Sequence, residues 1–244
     1  AGELSASGSA TLNYSGLNTS SESNPWTMGN SVTFSGGGEM DNGFNVTVSF
    51  ELEDNASSAS GNNMDSRSLK IDMGDAGTVT FSGHGGSTAA SAVDDVTPTA
   101  GEESWDDVTG ADSIPGGPSG NNMFHYSNSS FMDGLTVSAS YTPSDGTTEV
   151  ESSISYGLIF TGVEGLEVGF VTGENNDKVA DTVGTHSAGK TIENTGIWAK
   201  YAFDGFTIGV QNNESDTETT NGDYDARLYG VSYAVTEDLS VSYG

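Results

Sequence analysis

The chain contains no cysteine. That removes disulfides, thiolate–metal sites, thiol redox chemistry and a cysteine nucleophile together. Basic residues are almost as scarce: six Lys and Arg stand against 35 Asp and Glu, a formal net charge of −29 over 244 residues. A surface of that sign repels phosphate backbones, so nucleic acid is excluded as a partner. It attracts cations instead. Missing too is any apolar run near the ~18–20 residues that a membrane-spanning helix needs. A chain of this kind that sits in a membrane does so as a barrel. The first residue is Ala1, with no basic stretch and apolar run behind it. This is the pattern expected of an exported protein whose signal peptide has been removed.

What the sequence does have is alternation. Charged residues make up only 17%, so most of the polarity is Ser, Thr, Asn and Gly. Leu4–Tyr14 places Leu4, Ala6, Ala10, Leu12 and Tyr14 on one face and Ser5, Ser7, Ser9, Thr11 and Asn13 on the other. A period of two is the signature of a strand. Phe44–Leu52 is cleaner still, with Phe44, Val46, Val48, Phe50 and Leu52 against Asn45, Thr47, Ser49 and Glu51. The same pattern predicts strands over Trp26–Ser35, Ser66–Met73, Thr78–Ser82, Asn122–Asn128, Leu135–Thr142, Val150–Thr161, Leu166–Thr172, Thr195–Phe203, Phe206–Gln211, Leu228–Val235 and Leu239–Tyr243, thirteen in all. Short connections of the form DAG, MDG, VEG and FDG, with TED at the last, alternate with long polar ones. Asp and Gly suit tight hairpins because they tolerate positive φ. No repeat of solenoid or propeller period is present.

One connection stands apart. Residues 84–120, after the fifth strand, show neither period, hold Pro98, Pro115 and Pro118, and contain no Lys or Arg. Seven acids fall within 19 residues: Asp94, Asp95, Glu102, Glu103, Asp106, Asp107 and Asp112. Loops of this length are uncommon and are usually functional or disordered. Read alone, the stretch is either a solvated excursion or a loop folded into a cavity that the strands enclose.

In an antiparallel meander, alternate connections lie at the same end. All short turns therefore fall at one end and all long loops at the other. A soluble β-sandwich has no reason to sort its loops this way, although a secreted β-sandwich or β-helix and an adhesive fibril subunit stay as alternatives. A transmembrane barrel does. Its apolar faces meet lipid and its Ser/Thr faces a wet lumen. By loop ordinal, strand order and loop chemistry, the chain resembles the general diffusion porins of Gram-negative outer membranes, nearest the alphaproteobacterial type. The resemblance implies an all-β, transmembrane, antiparallel up-and-down barrel of about 16 strands, with about 13 visible, as a single domain over 1–244. It implies that 84–120 is a constriction loop folded inward, and that the protein is a homotrimer in contact with outer-membrane lipid and lipopolysaccharide. The expected function is passive diffusion of small hydrophilic solutes and ions.

Two departures from the family shape the remaining expectations. Thirteen strands is odd and Gly244 is not aromatic, so C-terminal strands are expected to be missing. The family also lines the wall opposite the acids with several Arg, whereas here parity gives the lumen only Lys70 and Lys200. Arg67 and Arg227 share parity with Leu69 and Tyr229 and fall on the lipid side near the outer rim. The acids of the loop are then the expected pore constriction, and the pore is expected to prefer cations. Trp105 and Ile114 are candidate anchors for the loop. Asp94, Asp95, Asp106 and Asp107 form dense oxygen donors that would suit Ca²⁺, although no EF-hand loop is present. No enzyme is indicated. His84, His125 and His186 lie in or beside polar loop sequence, and no GxSxG elbow accompanies them. The alternative function is a non-channel secreted or surface β-protein, structural or adhesive, that binds calcium.

Overall fold

The fold is described from a computed structural model covering residues 3–14, 26–53, 64–93, 96–98, 120–144, 150–177, 190–217, 223–237 and 239–244. Thirteen strands form one sheet in the order of the sequence, every neighbour antiparallel. They are β1 Glu3–Tyr14, β2 Trp26–Glu39, β3 Asn45–Glu53, β4 Met64–Asp72, β5 Thr78–His84, β6 Met123–Met132 and β7 Leu135–Thr142. The series continues with β8 Val150–Val163, β9 Leu166–Asp177, β10 Lys190–Phe203, β11 Phe206–Thr217, β12 Tyr224–Thr236 and β13 Leu239–Tyr243. β1 and β13 each have one neighbour, so the sheet is open.

The strand count follows the alternation, but several bounds do not. β9, β10, β11 and β12 run four or more residues further toward the long-loop end than the apolar rows do. There both faces meet polar surroundings. The backbone ladder continues through Asn, Glu, Asp and Thr with no apolar face to announce it. β2 likewise continues through Gly36, Gly37 and Gly38, which have no side chains with which to mark a face. β6 is longer than its pattern because its register shifts between Asn128 and Met132.

The register fixes which residues share a face. Phe50 pairs with Phe34, and Val48 with Gly36 and Leu69. Val137 pairs with Leu158, Leu158 with Phe170, and Ile197 with Phe170. This face is exposed across the sheet: Leu158, Val168, Ile197, Tyr201, Ile208, Val210 and Tyr229 all lie open. A soluble protein rarely leaves so continuous an apolar surface uncovered, whereas hydrocarbon satisfies it. Aromatic rings mark both borders. Tyr14 packs on Trp26 and Phe81 on Phe124 at the long-loop end. Tyr201, Phe203, Phe206 and Tyr233 stack in series at the turn end. Such girdles belong at the two membrane interfaces.

One polar residue on the outward face shows how the rule is kept. Asn128 is buried at the turn end, where its amide donates to the Asp75 carbonyl and the Tyr126 hydroxyl while its oxygen accepts from the Ser130 N–H. The turns are made by glycine where glycine is required. Gly134, Gly165 and Gly205 have φ of 73°, 76° and 79°, and Asp204 joins Gly205 in the positive region at 45°.

Val48→Arg should impair assembly, because a charge at mid-membrane on the lipid face costs about 2–4 kcal/mol. Thr47→Arg, on the other face, should assemble normally. Heat-modifiable gel migration of the two variants reads the difference, and equal tolerance would contradict the assignment of faces.

Candidate functional site: the lumenal face and the chain laid across it

The inward face is a hydroxyl wall. One continuous row, taken strand by strand from β3 to β11, reads Thr47, Lys70, Thr80, His125, Ser140, Ser155, Gly173, Asn194 and Ser215. The connection between β5 and β6 folds onto this wall. Its neck is closed by a hydrogen bond from the Gly86 N–H to the Gly120 carbonyl at 3.0 Å, and a second from the Gly85 N–H to Asn121 Oδ1 at 3.2 Å. Gly120 has to be glycine, since a Cβ there would overlap the Gly86 carbonyl.

From the neck, residues 88–93 and 96–98 lie along the wall from β7 to β12. The Ala89 N–H donates to Ser140 Oγ on β7, and the Ala90 N–H to Ser155 Oγ on β8. The Ser140 and Ser155 hydroxyls also bond to each other. On β11, Gln211 Nε2 donates to the Val93 carbonyl at 2.7 Å, and its Oε1 accepts from the Thr97 hydroxyl at 3.1 Å. Glycines make room for the crossing. A Cβ at Gly196 would overlap Val93, one at Gly209 would press on Pro98, and one at Gly230 on Pro98 and Thr97. Each lies on the inward face of a successive strand, β10, β11 and β12.

The segment brings its own small core. Val93, Val96, Val171 and Trp198 are buried together, with Ala92 and Ile159 packed against them. Val171, Ile159 and Trp198 are apolar residues on the polar face, opposite Phe170, Leu158 and Ile197. That breach of alternation is the sequence signal of the docking site. Sequence reasoning alone missed Gln211, Val171 and the glycines as part of it. Trp198 lies over Gly169, where no Cβ would fit. Its indole N–H donates to Glu167 Oε1 at 3.0 Å, and Lys200 Nζ sits 3.1 Å from the same oxygen. Below the crossing segment, toward the turn end, lies a cavity of about 800 Å³ lined by residues that include Pro98, Thr161, Glu167, Lys200, Thr207 and Ser232.

The acids expected to form the constriction, Asp94, Asp95, Glu102, Glu103, Asp106, Asp107 and Asp112, lie outside the described residues, as do Trp105 and Ile114. Lys200 is on the inward face beside Trp198, and Lys70 is inward and exposed between Thr47 and Thr80. Arg67 pairs with Phe50 on the outward face and donates to the Gly83 carbonyl at 3.3 Å. Arg227 is outward beside Asp225, 3.5 Å away. Among the described residues no group of three or more His, Asp or Glu could hold a metal ion.

An up-and-down sheet with an apolar outer face, a hydroxyl-lined inner face and a loop folded across that inner face defines an outer-membrane β-barrel channel. The chain belongs to the Gram-negative porin family, whose model matches residues 1–244. It is a porin of the outer membrane. Among solved structures, OmpT of Vibrio cholerae, described as an outer membrane protein, matches with a TM-score of 0.61 and 15% identity, over 97% of this chain and 70% of that one. A triple mutant of the Rhodopseudomonas blastica porin matches with a TM-score of 0.50 and 14% identity, over 99% and 93% of the two chains. No curated protein sequence matches.

Gly196→Val should push Val93 off the wall. Overpacking of this kind costs typically 1–3 kcal/mol, enough to leave the segment undocked part of the time. Single-channel recordings should become noisy, with a larger mean conductance. Ser35→Ala, on the wall of β2, should record like the parent. Quiet, unchanged currents from Gly196→Val would mean that this wall does not hold the loop.

Proposed function

We propose that this porin is a cation-selective diffusion pore for small hydrophilic solutes, with the acids of the loop as its constriction: Asp94, Asp95, Glu102, Glu103, Asp106, Asp107 and Asp112. One observation carries the reading. Val93 and Val96 are both buried in the lumenal core, at 2% and 6% exposure. Asp94 and Asp95 are the two residues between them in the sequence, which supports assigning their carboxylates to the passage. Carboxylates in a narrow aqueous passage with low-dielectric sides focus the field, concentrate cations and exclude anions. The basic wall that would oppose them is thin, since Lys200 already faces Glu167. Nothing in this arrangement calls for catalysis.

The test is the reversal potential under a salt gradient, for the parent and for a variant with Asp94, Asp95, Glu102, Glu103, Asp106 and Asp107 changed to Asn or Gln. The parent should prefer cations, less so as salt screens the acids, and the variant should lose most of the preference. Anion preference in the parent, or equal preference in both, would remove the loop from the constriction. Calcium titration belongs to the same experiment. If Asp94, Asp95, Asp106 and Asp107 hold Ca²⁺, micromolar to millimolar calcium shifts the parent's reversal potential and leaves the variant's alone.

We infer further that the pore works as a homotrimer. Hydrocarbon cannot satisfy unpaired backbone groups, so the free edges of β1 and β13 must be paired in the conducting form. On β1 the outward row Leu4, Ala6, Gly8 and Ala10 is small-sided, and Ala10 pairs with Asn30 on β2, a polar residue on the outward face. Small residues let two barrels approach closely, and an amide finds a partner there that lipid does not offer. Arg67 and Arg227 are placed to meet the phosphates of lipopolysaccharide. Mass measurement in mild detergent should give a trimer, and a monomeric mass with conductance retained would exclude it.

A further inference from the structure

Residues 87–92 leave a second cavity on their other side, against β5 and β6. It has a volume of about 360 Å³ and is lined by Thr80, Ser82, Ser87, Thr88, Ser91 and His125, with Ala92 alongside. Thr80 and His125 are direct cross-strand partners on the inward face, and Ser82 pairs with Met123 two residues nearer the loop end. Thr88 and Ser91 satisfy each other: the Ser91 hydroxyl donates to the Thr88 carbonyl at 2.7 Å, and the Ser91 N–H to Thr88 Oγ1 at 3.2 Å. The other four differ. Among the described residues, the side chains of Thr80, Ser82, Ser87 and His125 make no hydrogen bond. Ser82 is nevertheless buried, under the backbone of Gly86.

The structure assigns this cavity, we propose, as a binding site for a neutral polyhydroxylated solute of about one sugar unit. Ser82 is buried, Thr80 and His125 are half-buried and Ser87 is exposed at the rim, and the polar atoms of all four are free to meet a ligand in this one space. Hydroxyls and an imidazole both donate and accept, which matches a ligand that does the same at every carbon. Among the described residues the lining carries no charge, which sets it apart from a chain of net charge −29. The volume falls at the small end of the roughly 300–1,000 Å³ range of small-molecule pockets. Among the described residues no Phe, Tyr or Trp lines the cavity, so a longer saccharide finds no broad ring on which to stack. The nearest charged position in the wall row is Lys70, the cross-strand partner of Thr80. An oxyanion is therefore the competing occupant.

This site rests on the lumen being open to solutes, and it is tested by a measurement that needs no ion conduction. Saturation-transfer NMR on the detergent-solubilised full chain, with glucose as probe, should give a saturable signal in the millimolar range. Inorganic phosphate at equal concentration should not displace it. Ser82→Ala combined with His125→Ala should weaken the signal at least tenfold, while Ser35→Ala on the distant wall leaves it unchanged. Both variants are first shown to migrate as folded, heat-modifiable barrels. If the double variant does not, Ser82→Ala alone, a smaller change, is expected to weaken binding several-fold. No signal from the parent, equal signals from parent and cavity variant, or displacement of glucose by phosphate would each overturn the assignment. Conductance recorded on the same preparations separates a failed site from a failed pore.

Discussion

Everything in this fold answers to a solvent that cannot hydrogen-bond. In hydrocarbon, each unpaired N–H or C=O costs several kcal/mol, so a chain without long apolar helices must pair each strand on both edges. The strictly sequential antiparallel order achieves this for β2 to β12 and leaves one edge each on β1 and β13. The same solvent decides the side chains. Hydrophobic residues gain nothing from the interior and are placed outside. The face that a soluble sheet would hide is the exposed one, and the Ser/Thr face is turned inward. Asn128 shows one way in which an outward amide is kept: Asp75, Tyr126 and Ser130 satisfy it.

The lumen then poses the reverse problem. A water-filled hydroxyl wall offers no hydrophobic drive to hold a loop, since water competes for each hydrogen bond. The protein meets this with a small apolar core placed inside the polar face. Val93 and Val96 come from the loop, and Val171 and Trp198 from the wall. Burying such side chains is worth about 1.5–3 kcal/mol each by area-based estimates, comparable to the handful of hydrogen bonds from Ser140, Ser155 and Gln211. Glycine on the inward face of β10, β11 and β12 supplies the depth that lets the backbone lie flat. The segment is therefore docked along most of its visible length, with cavities of different chemistry on either side.

The sheet was legible in the sequence because it obeys one rule along its whole length. Phe44 to Leu52 announces its face as plainly as a sequence can, and the parity of Arg67 with Leu69 was enough to put it outside. Strand ends were not legible where the rule lapses: β10 begins at Lys190, five residues before its apolar row, where Ile192 stands as one apolar residue among polar ones. The docking site was half legible. Residues 84–120 stood out by length and charge, which drew the eye to Asp94 and Asp106. The groups that hold the loop are Val93, Val96 and Thr97, which look ordinary in sequence. Their partners Val171 and Trp198 were visible as apolar residues on the wrong parity. An isolated breach of alternation reads as noise until the register places it opposite another.

The position of Lys200 bears on how such a pore uses its charge. A cation set alone on the wall would face the loop's acids across the passage and set up a transverse field. Lys200 is not alone. Glu167 is its direct cross-strand neighbour, the two are 3.1 Å apart, and Trp198 fixes the same carboxylate oxygen. An indole donor on Glu167 holds the carboxylate in place without neutralising it, so the local sum of the trio is near zero. Trp198 belongs also to the core that anchors Val93 and Val96. The residues that fasten the loop thus also compensate the wall cation. In the proposed pore, the field across the constriction would be set mainly by the acids of the loop, one-signed, with little basic counter-wall among the described residues. A passage of that kind sorts ions by sign more than it orients dipolar solutes. It would leave neutral solutes to be distinguished by hydrogen bonding alone, at surfaces such as the uncharged hydroxyl pocket beside His125.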